Sequence, residues 1–122
     1  MRVFFKSETF SFEAEFNDSP AAVKIVEHLP IESSVSRWGD EIYFDTGIAC
    51  PTEGQTMDVE VGAVGYWPQG KCLCVFFGPT PASSDDTPVP ASHVVVVGKT
   101  GASPERLRSI KEGERITVSA LE

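Results

Sequence analysis

Between Thr9 and Phe16 every second side chain is apolar: Phe10, Phe12, Ala14 and Phe16 alternate with Ser11, Glu13 and Glu15. A period of two marks a strand with one face in a core and the other in water. Arg2-Val3-Phe4-Phe5, just upstream, supplies a partner strand across a short turn. Ser19-Pro20 then provides an N-cap and a first-turn proline, and Ala22, Val23, Val26 and Leu29 follow at helical spacing until Pro30 stops the helix.

From Ile31 onward the pattern is one short strand after another, punctuated by Gly39-Asp40, Thr46-Gly47, Gly62, Pro68-Gln69-Gly70 and Gly78-Pro79. Pro81 to Pro90 is too rich in proline, aspartate and serine for a regular element and reads as an exposed loop. Val94-Val95-Val96-Val97 is apolar on both faces, which places it in the middle of a sheet. Ser103-Pro104-Glu105 opens a second short helix expected to end at Gly113, and Arg115 to Leu121 is a final alternating strand. About eight short strands with two short helices predict a mainly β, closed antiparallel barrel, since closure removes the edges that invite aggregation. With 122 residues, no internal repeat and no linker, residues 1–122 read as one domain.

Charge narrows the function classes. A formal net charge of -8 argues against nucleic acid and against an anionic membrane surface, both of which call for a basic face. No apolar run approaches the ~20 residues that cross a bilayer, and the start, Met1-Arg2-Val3-Phe4-Phe5-Lys6-Ser7-Glu8, is too charged for a signal peptide. Cys50, Cys72 and Cys74 form no CxxC pair, and their odd number fits a reducing cytoplasm.

Two segments concentrate the chemistry-bearing side chains: Arg37-Trp38-Gly39-Asp40-Glu41-Ile42-Tyr43-Phe44 and Tyr66-Trp67-Pro68-Gln69-Gly70-Lys71. A two-residue type II′ turn at Gly39-Asp40 puts Ser36, Trp38, Glu41 and Tyr43 on one face and Val35, Ile42 and Phe44, with Arg37, on the other. The second set is the core face, so the Trp38–Tyr43 set lies outside the barrel. It is there either as a binding platform or as a surface over which a helix or loop packs. Arg37 belongs at the rim, where it pairs with a carboxylate or donates to a ligand carbonyl. Tyr66 and Trp67 are adjacent and point to opposite faces, so one of them is core.

Cys72 and Cys74 share a strand face with Phe76 and read as buried thiols. With His28 and His93 distant in sequence they do not make up the ~4 ligands of a structural zinc site, and no metal or other cofactor is expected. Cys50 sits in a loop bounded by glycine and proline and is the cysteine expected to be most exposed. His93 follows the proline-rich loop and belongs at the rim of the same cleft.

Trp38-Gly39-Asp40-Glu41-Ile42-Tyr43-Phe44, Tyr66-Trp67-Pro68-Gln69-Gly70-Lys71 and Phe76-Phe77-Gly78-Pro79-Thr80-Pro81 stand in an order and spacing that resemble a family of small prokaryotic cyclophilin-like proteins. Pro90-Ala91-Ser92 with Val94 to Lys99, and Ile110-Lys111-Glu112-Gly113-Glu114, extend the resemblance over nearly the whole chain. It implies a cyclophilin-like barrel with a helix near each end, and it implies no particular activity. Gln69, Ala63 and Val95 depart from the family pattern, standing where a second proline, an acidic residue and an asparagine are usual. The Phe-His-Arg run that carries the catalytic arginine of true prolyl isomerases is absent.

The favoured reading is a non-enzymatic module that recognises a peptide or small molecule through Arg37, Trp38, Glu41, Tyr43, Tyr66, Trp67, Phe76 and His93. An alternative is a prolyl isomerase in which Arg37 stabilises a twisted amide against Trp38, Tyr43 and Phe76; that reaction needs no acid–base pair. The third reading, by analogy with other cyclophilin-like barrels, is a subunit of a bacterial amide-hydrolysing assembly, which brings a protein partner.

Overall fold

The computed structural model describes residues 1–121. The alternating segments at the start of the chain pair as the periodicity requires. β1 (Arg2–Ser7) and β2 (Ser11–Phe16) run antiparallel with Phe5 opposite Phe12, and Val3, Phe5, Phe12, Ala14 and Phe16 are all buried. α1 (Pro20–Glu27) follows, and the Ser19 hydroxyl oxygen accepts from the Ala22 N–H at 3.3 Å. Its inward face is not the stripe expected. Ala21, Ala22 and Ile25 are buried, Val26 and Leu29 are only partly so, and Val23 is 37% exposed. Val23, ~100° further round the axis from Ala22, is turned outward.

The remaining elements are β3 (Ile31–Ser34), β4 (Ser36–Arg37), β5 (Glu41–Asp45), β6 (Ala63–Trp67), β7 (Cys72–Phe76), β8 (Val95–Lys99), α2 (Pro104–Leu107) and β9 (Arg115–Ala120). The strands form one antiparallel sheet in the order β3-β9-β1-β2-β8-β6-β7-β5-β4. Its two outer strands are consecutive in sequence, separated only by Val35. The stretch from Ile31 to Arg37 therefore pairs first with β9 and then with β5, and the sheet curls into a nearly closed barrel. Val35 itself is held at the changeover, donating to the Glu114 carbonyl at 2.9 Å and accepting from the Gly113 N–H at 2.7 Å. This partner switch splits one strand into two, so the described residues form nine strands, against the expected number of about eight.

α2 is also shorter than expected: it ends at Leu107 rather than running to Gly113. Beyond it Ser109 and Ile110 donate to carbonyls three residues back, Arg106 and Leu107, which is a tight turn and not a continued α ladder. Leu107 and Ile110 are both fully buried, and anchoring both to the core brings the chain round at that point. Among the described residues no helix is long and apolar enough to cross a membrane.

Hydrophobic residues gather in two places. The barrel interior takes side chains from every wall, including Phe5, Phe44, Tyr66, Leu73, Val75, Val95 and Val97. A second, smaller cluster lies on the outer side of the sheet and comprises Val59, Ala63, Cys72, Cys74, Phe76 and Val94, with Tyr43, Trp67 and Val96 packed against it. β7 contributes alternately to both, so all five of its residues are buried. The outer cluster is covered by two long connections, 46–62 and 77–94, which Thr56 and Val94 pin together by a reciprocal pair of backbone hydrogen bonds of 2.8 and 3.0 Å. The loop 81–90 is irregular as expected but not wholly exposed: Pro88 and Pro90 are buried, and the Thr80 hydroxyl donates to the Val89 carbonyl at 2.6 Å.

Candidate functional site

The turn at Gly39-Asp40 sets the geometry of the outer face. Gly39 has φ +61°, the Trp38 N–H donates to the Glu41 carbonyl at 3.0 Å, and Ser36 and Arg37 stand opposite Tyr43 and Ile42. That register puts Ile42 and Phe44 in the interior with Val35, and Trp38, Glu41 and Tyr43 on the outside. Glycine at position 39 serves a second purpose. A Cβ there would come within 2.9 Å of both Pro81 Cδ and Thr80 Cα, so its absence lets the turn dock on the 77–94 connection. The Asp40 N–H donates to the Pro79 carbonyl at 3.0 Å and locks that docking.

Pairing across the sheet then assembles the site. Tyr43 is opposite Cys74, which in turn is opposite Gly65, while Trp67 is opposite Cys72. Val94 packs over Gly65, where a Cβ would lie 3.2 Å from its Cγ2. Tyr43 and Trp67 meet nearly at right angles, ring centroids 6.3 Å apart and planes at 82°, and the Trp67 indole N–H is fixed on the Ser92 hydroxyl at 2.6 Å. The result is a cleft of about 110 Å³. Trp38, Tyr43 and Trp67 line it together with Glu41 and Cys74, and Pro90, Ala91 and Val94 line it from the connection.

Glu41 is the unusual member. It is only 6% exposed, and burial pushes its carboxyl up from the ordinary 4.5 to about 7, against the opposing effect of a hydrogen bond from the Cys74 thiol. Among the described residues no ion pair includes Glu41. Cys74 is held well above the usual thiol range by burial and then by the Glu41 charge, and Cys72 is raised to about 11 by burial and by Asp45 and Glu41. Burial also raises Cys50, the least buried of the three, whose N–H donates to the Tyr66 hydroxyl at 3.2 Å. Thiols raised in this way are poor nucleophiles at neutral pH.

The structure brings together only part of the set singled out from the sequence. Trp38, Glu41, Tyr43 and Trp67 share the cleft. Tyr66 is the core member of its pair, its hydroxyl donating to the Ile48 carbonyl at 2.6 Å inside the barrel. Phe76 is fully buried in the outer cluster, and His93 is exposed and does not line the cleft. Arg37 lies away from the cleft, over the Phe77 ring at 5.4 Å. Its guanidinium donates to the carbonyls of Ile110 at 2.7 Å, Arg108 at 3.0 Å and Gly39 at 2.9 Å, and stands 3.8 Å from Asp40, which also takes Arg108 at 2.9 Å. Arg37 thus clamps the turn after α2 to the hairpin. Arg37→Ala is expected to lower unfolding stability by ~2 kcal/mol in urea denaturation, because it leaves carbonyls without their charged donor. Ligand binding at the cleft should be unchanged by it.

The contributions of Cys74, Pro90, Ala91 and Val94 were not read from the sequence as site residues. The available signal was the unusual length of the 77–94 connection, since loops beyond ~15 residues in compact domains are commonly functional.

A family model described as cyclophilin-like matches residues 1–119. Among solved structures, the chain is similar to that of the hypothetical protein AF2241 from Archaeoglobus fulgidus, at 41% identity and a TM-score of 0.84, covering 99% of this chain and 95% of that one. It also resembles McbB, solved in complex with tryptophan, at 14% identity and a TM-score of 0.72, covering 98% of this chain and 46% of that one. The second likeness is one of fold alone. No curated protein matches the chain.

Proposed function

This chain belongs to the cyclophilin-like family, and we propose that it acts as a recognition module whose outer aromatic cleft takes one side-chain-sized group of a peptide or small molecule. The observation that carries this reading is the cleft itself: three large rings and a buried carboxyl, gathered from separate segments around about 110 Å³. A cavity of ~150 Å³ holds a benzene ring, so the cleft suits one compact group with the rest of the ligand outside. Its walls are already set, because Trp67 is tethered to Ser92, Tyr43 abuts Trp67, and the outer cluster supports both from beneath. Preformed walls reduce the ordering cost of binding.

The isomerase alternative requires a guanidinium beside Trp38, Tyr43 and Phe76. Arg37 is committed to three backbone carbonyls and Phe76 is fully covered, so no observation favours it.

The test is an amide-resolved NMR titration with a set of compact probes: indole, phenol, tert-butanol and tetramethylammonium. At least one should bind with shifts centred on Trp38, Tyr43, Trp67 and Val94, and Trp38→Ala should weaken it by roughly tenfold, the loss of one aromatic wall. Shifts centred elsewhere, or no binding by any probe, would sink the reading.

A further inference from the structure

We propose that the cleft is selective for a compact alkylammonium group, with Glu41 as its counter-ion and the rings of Trp38, Tyr43 and Trp67 as its walls. This rests on the reading of the cleft as a recognition site.

The first argument is the charge pattern of the lining. The titratable groups that face the cleft are Glu41 and Tyr43 on β5 and Cys74 on β7. β6 contributes Trp67, the hairpin Trp38, and the connection only the uncharged Pro90, Ala91 and Val94. Among the described residues no lysine, arginine or histidine lines the cleft. Arg37 and Arg108, beside the hairpin turn, are engaged with Asp40 and, for Arg37, with backbone carbonyls, and His93 is exposed off the site. An anionic group would meet a carboxyl and ring electrons with no positive partner.

The second argument is what surrounds the Glu41 carboxyl. The Trp67 N–H is held by Ser92, and among the described residues no cation pairs with Glu41. Glu41, a residue only 6% exposed, thus stands at the cleft beside two mutually perpendicular rings. A buried carboxylate is stable only with a compensating charge or a proton. Aromatic rings attract cations through their quadrupole, most strongly where water is excluded. A methylated ammonium satisfies both, its charge facing Glu41 and its methyl groups the rings and Val94. The net charge of -8 further favours the approach of a cation.

Because ionised Glu41 is the binding form, the cation competes with a proton. Tetramethylammonium is the probe of choice, since its charge is fixed and only the protein titrates. Its affinity, by calorimetry at constant ionic strength, should be ~10-fold tighter at pH 8 than at pH 6, following the ionised fraction of Glu41. Glu41→Gln should lose ~10-fold in affinity at pH 8 and show a flat pH profile.

Two failures are distinguishable. If tert-butanol or indole binds at the cleft and tetramethylammonium does not, or binds with no dependence on pH and on Glu41, the ammonium assignment falls and the recognition reading stands. If no probe binds, both fall. The wild-type pH profile decides the matter even should the variant fold poorly. A capped tripeptide carrying Nε-trimethyl-lysine separates the sources: affinity above that of free tetramethylammonium assigns the group to a peptide, and equal affinity to a small molecule.

Discussion

Phe5→Ala is expected to lower unfolding stability by ~3–5 kcal/mol, the range for removing a buried phenylalanine from a core that cannot collapse around the loss. Phe5 is fully buried on β1, stacked on its cross-strand partner Phe12 at a centroid separation of 4.8 Å with planes 7° apart. It also meets Phe16 at 6.3 Å and the edge of Phe44 at 6.3 Å. Phe44 belongs to β5, which shares no ladder with β1, so Phe5 joins walls that backbone hydrogen bonds do not connect directly. Truncation would leave a void facing rigid strands on several sides. Set against a typical total of ~5–15 kcal/mol, the loss should depress Tm by roughly 10–20 °C. Phe10→Ala is the control: Phe10 is only partly buried, stacks on Phe12 at 5.8 Å, and should cost only ~1 kcal/mol. Urea titrations giving the two variants equal midpoints would show that the cross-barrel aromatic cluster is not the keystone of the core.

Glu41→Gln is expected to raise stability at pH 8 by up to ~3 kcal/mol and to leave it unchanged near pH 4. The sign follows from proton binding. The folded carboxyl keeps its proton until about pH 7, whereas the unfolded one loses it near 4.5. Between those values the folded state holds more protons, so unfolding releases one and rising pH favours the unfolded chain. Wild-type stability from this residue is therefore complete below pH 4.5, declines through the interval, and settles at its lowest level above pH 7. The gap corresponds to ~3 kcal/mol at ~1.4 kcal/mol per pH unit, an upper bound because one side of the cleft is open to water. Glutamine carries no charge to bury and keeps an acceptor for the Cys74 thiol. The difference between variant and wild type, followed by urea denaturation from pH 4 to 8, should trace that curve. A constant difference would mean that Glu41 ionises as freely in the fold as outside it.

Much of the architecture was legible because it rests on local, repeating physics. The period-two run through Phe12, Ala14 and Phe16 fixed which face of β2 is buried, and the Gly39-Asp40 turn fixed the faces of Trp38, Glu41 and Tyr43. Adjacent positions on one strand sent Tyr66 inward and Trp67 outward. Where packing overrode spacing, the reading failed. Val23 sits on an apolar stripe yet faces out, because Ala21, Ala22 and Ile25 are the residues the helix turns to the core. α2 stops at Leu107 because Ile110 must also reach the interior.

Arg37 illustrates the boundary most clearly. Its place at the rim follows from strand alternation, but its partners, the carbonyls of Arg108 and Ile110, lie some seventy positions away in sequence. No periodicity encodes which distant backbone a guanidinium will find. The sequence alone determined an antiparallel barrel and a Trp-Glu-Tyr face on its outside, since side-chain direction along a strand is a local consequence of the pleat. Only the tertiary structure decided that this face becomes a cleft and that its glutamate loses its water. Both depend on where the 77–94 connection returns across the sheet, and desolvation is set by neighbours in space, not in sequence.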